Sequence, residues 1–431
     1  MRFSSFQSPA RLAIFTMLML SIPAFAATTV EVGTCISGLV QFPTIQNAVT
    51  QSPAGTIIEV CPGSYAEQVS INKNLTLKGV ADPNSNQDAA IIVAPSGGVV
   101  ANAASLSSGQ PIAAQILVVS PATSVAISSL TVDGTGNNLG DCSINLIGVY
   151  FQNASGSVST SVLRNQALAP SLSGCQDGLG AFVQSGGGGT STVTIQTTSV
   201  HNYDKNGITG NESGTTLNAI SDVVQGAGVV APPGSAQNGI QLGFGATGKV
   251  TGNTVLDQIY GDIASAISVG ILLYDAAENS SIKVSSNNVD NTQTAVGIYT
   301  DSSDPTEYGD GVTVQSNNIF ETLNYDAIDV CTNGNTIKSN TIANSAESGV
   351  HLDASCSGGT NTTGNGNSVN GNIMLESGCA GVLEDSGTTN TVGTEVFIDI
   401  PSTILNGACP VAPGTRLGKG FVKGTRFKAF R

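Results

Sequence analysis

A short motif recurring along most of the chain constrains its fold more than any other feature. Gly followed by an apolar residue stands at Gly148-Val149, Gly207-Ile208, Gly239-Ile240, Gly270-Ile271, Gly297-Ile298, Gly349-Val350 and Gly381-Val382. Gly180-Ala181-Phe182 and Ala327-Ile328 fill two further places in the series, and successive starts lie 22 to 32 residues apart. Such spacing marks one small structural unit repeated along the chain. Between the motifs apolar residues alternate, as in Val193-Thr194-Ile195, Ile282-Lys283-Val284 and Val312-Thr313-Val314, which is the pattern of strands with one buried face. Strands this short cannot each build a core, but stacked unit on unit they enclose one. The sequence therefore predicts an all-β chain, a right-handed parallel β-helix solenoid. A propeller would need antiparallel blades of ~40 residues.

A second marker bears on register. Asn288, Asn318, Asn340 and Asn372 each precede Gly297, Ala327, Gly349 and Gly381 by nine residues, and each lies just before Val or Ile. Asn tolerates the left-handed backbone of a sharp turn, and stacked amides can bond from coil to coil for about 1 kcal/mol each. Asn318 is expected to lie against Asn340. Gly252-Asn253-Thr254-Val255 repeats the turn with a longer insertion behind it.

The leading residues address the chain for export. Arg2 and Arg11 precede an apolar run from Leu12 to Ile22 and a small-x-small site at Ala24-Phe25-Ala26, the form of a secretory signal peptide. No later stretch approaches the ~20 apolar residues of a transmembrane helix, so a secreted or periplasmic protein without a transmembrane segment is expected. All eight cysteines follow the cleavage site in neighbouring pairs, Cys35/Cys61, Cys142/Cys175, Cys331/Cys356 and Cys379/Cys409. Proximity suggests this pairing among the 105 possible connectivities. No C-x-x-C or His/Cys spacing for a metal is present.

Charge divides sharply along the chain. All thirty Asp and Glu lie between Glu31 and Asp399, against seven bases in the same span, while six Lys and Arg crowd positions 416–431. So acidic a body excludes binding to a phosphate backbone and hence a nucleic-acid partner. The basic tail reads as a solvated terminus or as a contact for anionic polymers.

Near the start, Phe42-Pro43-Thr44-Ile45-Gln46-Asn47-Ala48-Val49 reads as a short amphipathic helix capping the first coil. Strands follow at Thr56-Ile57-Ile58-Glu59-Val60, Glu67-Gln68-Val69-Ser70-Ile71 and Asn74-Leu75-Thr76-Leu77-Lys78-Gly79, with Cys61-Pro62-Gly63-Ser64-Tyr65 between the first two. This run resembles the opening of the pectin-lyase-like right-handed β-helix superfamily, particularly the first coil of pectin esterases. The resemblance implies carbohydrate-related function, although the scaffold hosts many activities. Family catalytic residues do not carry over. The Asn-Thr-Asp, Asp-Asp, Gly-His-Gly and Arg-Ile-Lys blocks of polygalacturonase-like hydrolases are absent, and Asp304-Pro305-Thr306-Glu307 departs from the epimerase Asp-Pro-His-Asp at the His. Arg164 is the one Arg between the leader and Arg416, too few for a pectate-lyase base.

One constellation emerges from strand geometry. Alternation after each repeat Gly sends Tyr299 and Asp301, Asp329, and His351 and Asp353 outward on successive coils, with Tyr274 and Asp275 one coil before and Glu384 and Asp385 one coil after. Strand spacing puts Asp329 about 8 Å from Asp301 or Asp353, a separation found between the carboxylates of inverting glycosidases. Asp301, Asp329, His351 and Asp353 are therefore the candidate catalytic residues, and Tyr274 and Tyr299 candidate sugar-stacking residues. Clustered carboxylates also suit Ca²⁺. A solvated acidic face would carry the same residues, and that reading stays open. The expectation is a leader (1–26), a β-helical domain (27–400) and a basic tail (401–431), forming a monomer that binds or processes polysaccharide. Whether it is a hydrolase or lyase, or a non-catalytic adhesion module, the sequence leaves undecided.

Overall fold

A computed structural model describes residues 28–82, 90–263, 265–278, 281–300, 310–354 and 364–409. The leader, the basic tail from residue 410, Asp301 and Cys356 lie outside these residues, with the expectations placed on them.

The chain is a right-handed parallel β-helix. Each coil contributes strands in turn to three sheets, A, B and C, which hold fourteen, twelve and thirteen strands among the described residues. Among those residues every pairing is parallel except the short one between Ala103–Ala104 and Pro111–Val119. The alternating residues stack in columns that face inward. On sheet A, Leu77, Ile127, Val158 and Ile195 lie one above another, and on sheet B, Val200, Val224, Val255 and Val289 do the same. These columns form one continuous apolar core, so each coil's buried side chains are covered by the next. Residues Ile45–Gln51 form a helix whose Thr44 side chain accepts from Asn47 N–H, while the Glu67 carboxylate accepts from Ile45 and Gln46 N–H. The helix adds Ile45, Ala48 and Val49 to the core.

The repeat glycines sit at the corner entering sheet C. Gly148, Gly180, Gly207, Gly239 and Gly270 follow one column, and a Cβ on Gly207 would fall 2.4 Å from Val224 Cγ1 and 2.7 Å from the Gly239 carbonyl. The corner is too tight there for a side chain. Ala295, not Gly297, continues this column, because Ile271 pairs with Val296 and Val296 with Ile328. Gly297 lies two residues further on, beside Asp329.

The asparagine ladder also differs from expectation by one residue at two coils. The stacked amides are Asn253, Asn287, Asn317, Asn340 and Asn372, joined by Nδ2···Oδ1 bonds of 2.9 to 3.0 Å. Asn318 lies beside Thr341 and not Asn340, and together with Asn288 it forms a separate exposed pair. The left-handed residue is the one before each ladder Asn: Gly252, Ser286, Ser316, Ser339 and Gly371. This turn directs the Asn inward, where it donates to a carbonyl of the preceding coil and accepts a backbone N–H. Inward-pointing amides need partners at every lone pair and proton, and neighbouring coils supply them.

Three of the expected disulfides are present, Cys35–Cys61, Cys142–Cys175 and Cys379–Cys409, with Cα atoms 5.3 to 5.9 Å apart. Each closes a loop of about 25–35 residues, a constraint of roughly 3–4 kcal/mol on the unfolded chain. Cys331 is also disulfide-bonded. The solenoid runs past Ile400, because Ser402–Asn406 pairs with Ala380–Glu384 in sheet C. Among the described residues no helix is long and apolar enough to cross a membrane.

Candidate functional site

Parallel pairing in sheet C places Gly297, Asp329, His351 and Leu383 in one outward column. Asp353 and Asp385 stand two residues beyond His351 and Leu383, each immediately after its strand, in the neighbouring column. Asp326, two residues before the strand Ile328–Val330, meets Ser348, which opens the strand Ser348–Leu352, and the Ser348 backbone and hydroxyl both donate to Asp326. The coil winding thus gathers residues 299 to 385 into one cluster.

His351 is its centre. Nδ1 lies 3.1 Å from Asp326 Oδ2 and 3.7 Å from Asp329 Oδ1, and Nε2 lies 3.4 Å from Asp385 Oδ1. An imidazole with a carboxylate at each nitrogen is best served as a cation donating both ways. Burial alone would lower its pKa, but Asp326 above all, then Asp385 and Asp329, hold it well above the usual range.

The carboxyls divide into two groups. Asp329 is 1% exposed, and its pKa is raised to about 8 by burial, against the pull of His351 and with the support of Asp326 and Asp353. Tyr299 donates to Asp329 Oδ2 at 2.9 Å, while Asp329 Oδ1 has no hydrogen-bond partner. Glu347 is pushed up to about 8 by burial and by the charges of Asp326, Asp329 and Asp385. Asp385 is the most open of the group, with its side chain 31% exposed. Burial would raise it, but hydrogen bonds from His351 and Asp353 and the Ala354 N–H hold it well below the ordinary carboxylate range. At neutral pH the cluster accordingly offers one exposed carboxylate and one partly buried protonated carboxyl.

The structure brings together three of the four expected catalytic residues, Asp329, His351 and Asp353; Asp301 lies outside the described residues. It corrects the expectation for Tyr299. The ring is 2% exposed and cannot stack on a sugar. It lies across Gly297, where a Cβ would sit 2.2 Å from Tyr299 Cε2, and so reaches the next coil and Asp329. Tyr274, directly below Tyr299 in the register, is half-buried and packs at 5.6 Å from the Phe244 ring. A fully solvated face is also excluded, since Asp326, Asp329 and Asp353 are all buried. Sequence reasoning missed Asp326 and Glu347, which precede the strands and fall outside the alternation used to find the others. The one signal available was their position one residue before the repeat Ala327 and two before Gly349.

Two triads, Asp326/Asp329/His351 and His351/Asp353/Asp385, have ligand atoms within 4.8 Å of one another. Either could hold a cation only by withdrawing an imidazole nitrogen from its carboxylate. An imidazole also suits Ca²⁺ poorly, because that ion takes six to eight oxygens.

No protein-family model matches the sequence, and no curated protein matches it either. Among solved structures, a GH136 lacto-N-biosidase from Eubacterium ramulus is similar in its native and selenomethionine forms, at 9% and 10% identity and TM-scores of 0.54 and 0.53. Each comparison covers 88% of this chain and 68% of that one. A pectin methylesterase from Erwinia chrysanthemi overlaps more loosely, at 14% identity and a TM-score of 0.42, over 70% of this chain and 92% of that one. At these identities the likeness is one of fold.

Proposed function

We propose that this protein is an exported glycan-processing enzyme that hydrolyses glycosidic bonds by acid–base catalysis on the outer face of sheet C. The observation that carries the reading is the gathering of carboxyls around His351, whose ring nitrogens lie 3.1 Å from the buried Asp326 and 3.4 Å from the half-exposed Asp385, with Asp385 held low and Glu347 pushed up. Paired groups whose environments push their pKa values apart are the arrangement that acid–base chemistry at neutral pH requires. Glu347 protonates the leaving oxygen, and Asp385 acts as base toward water or as nucleophile. His351 holds Asp385 and transmits the charge of Asp326. Asp329 and Tyr299 are too buried to touch a substrate, so they serve as positioning residues beneath it.

Two neighbours with TM-scores above 0.5 are structures of one glycoside hydrolase, which supports this chemistry as a use of the same scaffold. Export is supported by the form of the leader and by three disulfides, which persist in oxidising compartments.

Reducing-end release from a panel of polysaccharides and oligosaccharides tests the proposal. Glu347→Gln and Asp385→Asn should each lower kcat by roughly 10²–10⁴-fold while leaving the circular dichroism of the folded protein unchanged. Cleavage that survives both substitutions would rule out this site. Binding without cleavage by the wild-type chain would make the protein an adhesion module instead.

A further inference from the structure

We infer that the ligand of the sheet C site is an uncharged, hydroxyl-rich glycan and not a polyuronate. This rests on the site proposed above and names its substrate class.

The charge map carries the argument. Seven cations lie between Lys73 and Lys338, and none stands on the outer face of sheet C. Lys78, Lys249, Lys283 and Lys338 are on strands of sheet A. Arg164 is on sheet B, bound to Asp133 at 2.8 Å. Lys73 donates to the carbonyls of Thr50 and Ser52 beside the helix. Lys205 is 1% exposed and donates to the Ala236 carbonyl at 2.7 Å. The site holds five carboxyls against one histidine, whose two nitrogens face Asp326 and Asp385.

Such a surface repels anions. A uronate placed a few ångströms from Asp385 meets like charge with no guanidinium or ammonium among the described residues to answer it, which weakens binding by roughly tenfold per residue at low salt. Elimination or epimerisation at a uronate has the further requirement that the sugar carboxylate be neutralised, and no described cation can do so. The polar surface is instead rich in acceptors. Ionised carboxylates only accept hydrogen bonds, and Asp385, with its side chain 31% exposed, presents one to the ligand. Sugar hydroxyls are donors, and a vicinal diol can give two to one carboxylate. The lattice of the β-helix thus selects against the acidic polymers by charge and for neutral ones by hydrogen-bond polarity.

Affinity gel electrophoresis of the full mature chain tests this without relying on turnover. Neutral probes are barley β-glucan, galactomannan, xylan and N-acetylhexosamine oligosaccharides in competition; acidic probes are polygalacturonate and alginate. At low salt at least one neutral probe should retard the protein at least tenfold more strongly than either polyuronate, and retardation should change less than twofold between 20 and 200 mM NaCl. Asp385→Asn should narrow the gap between the classes. Stronger retention by polygalacturonate or alginate, or retention by neither class, would overturn the inference. Cleavage of a polyuronate that depends on Glu347 and Asp385 would overturn it while leaving the acid–base site standing. Neutral-glycan binding without cleavage would do the reverse.

Discussion

Replacing Asn317 with Ala should be among the most damaging single changes in the solenoid, and the adjacent Asn318 supplies its control. Asn317 Oδ1 accepts from Asn287 N–H at 3.0 Å and from Asn287 Nδ2 at 2.9 Å, and Asn317 Nδ2 donates to the Val284 carbonyl at 3.0 Å and to Asn340 Oδ1 at 2.9 Å. All four partner groups are buried, and truncation leaves each of them short of a bond. At about 1–3 kcal/mol per buried group left unsatisfied, Asn317→Ala should cost about 3–5 kcal/mol. Asn318 makes one amide bond, to Asn288 on the exposed face, which water replaces. Asn318→Ala should therefore stay within about 0.5 kcal/mol of wild type. Urea unfolding followed by far-ultraviolet circular dichroism measures both, with the denaturant slope compared to confirm that the same structure melts. Equal costs for the two variants, or an Asn317→Ala midpoint indistinguishable from wild type, would refute the assignment of the ladder to Asn317.

The raised Glu347 carboxyl gives a signed pH dependence. Its folded-state value of about 8 lies above the ordinary glutamate value of 4.5, so its contribution to stability is complete below about pH 4.5 and disappears as pH rises through 8. Asp385, held low, contributes above the ordinary aspartate value of 3.8 and loses that contribution in acid. Catalysis should fall on the alkaline side near pH 8 as Glu347 loses its proton, and Glu347→Gln should flatten the decline in melting temperature between pH 5 and 9; a variant whose profile tracks wild type would contradict the assignment. At the glycine corner, Gly207→Ala should cost about 1–3 kcal/mol by overpacking against Val224. Adding Val224→Ala should recover part of that loss, and strict additivity in the double-mutant cycle would show that the two do not touch.

Much of the fold is legible in the sequence because a solenoid makes local pattern into global structure. Val193-Thr194-Ile195 and its counterparts mark inward and outward faces directly, since side chains on a strand alternate. Neighbouring cysteines identify three bridges because residues one coil apart become neighbours. Register was harder to read at the doubled asparagines. Asn287-Asn288 and Asn317-Asn318 each offer two candidates for one ladder position, and a one-residue choice reverses which side chain faces inward. The same ambiguity drew Gly297 into the glycine series, when it belongs beside Asp329 and leaves room for the Tyr299 ring.

Winding into stacked parallel coils can be read from the repeat alone, and so can the meeting of Asp329, His351 and Asp353 on one face. Which of those groups are buried, that Tyr299 turns away from solvent to bond Asp329, and that Asp326, Glu347 and Asp385 complete the surroundings of His351 emerge from the packed coils. Strand alternation fixes the direction of a side chain, but its ionisation depends on how much water reaches it and on which charges stand nearby. Those quantities are set at the corners between strands and by contacts from one coil to the next, where the period-two pattern carries no information.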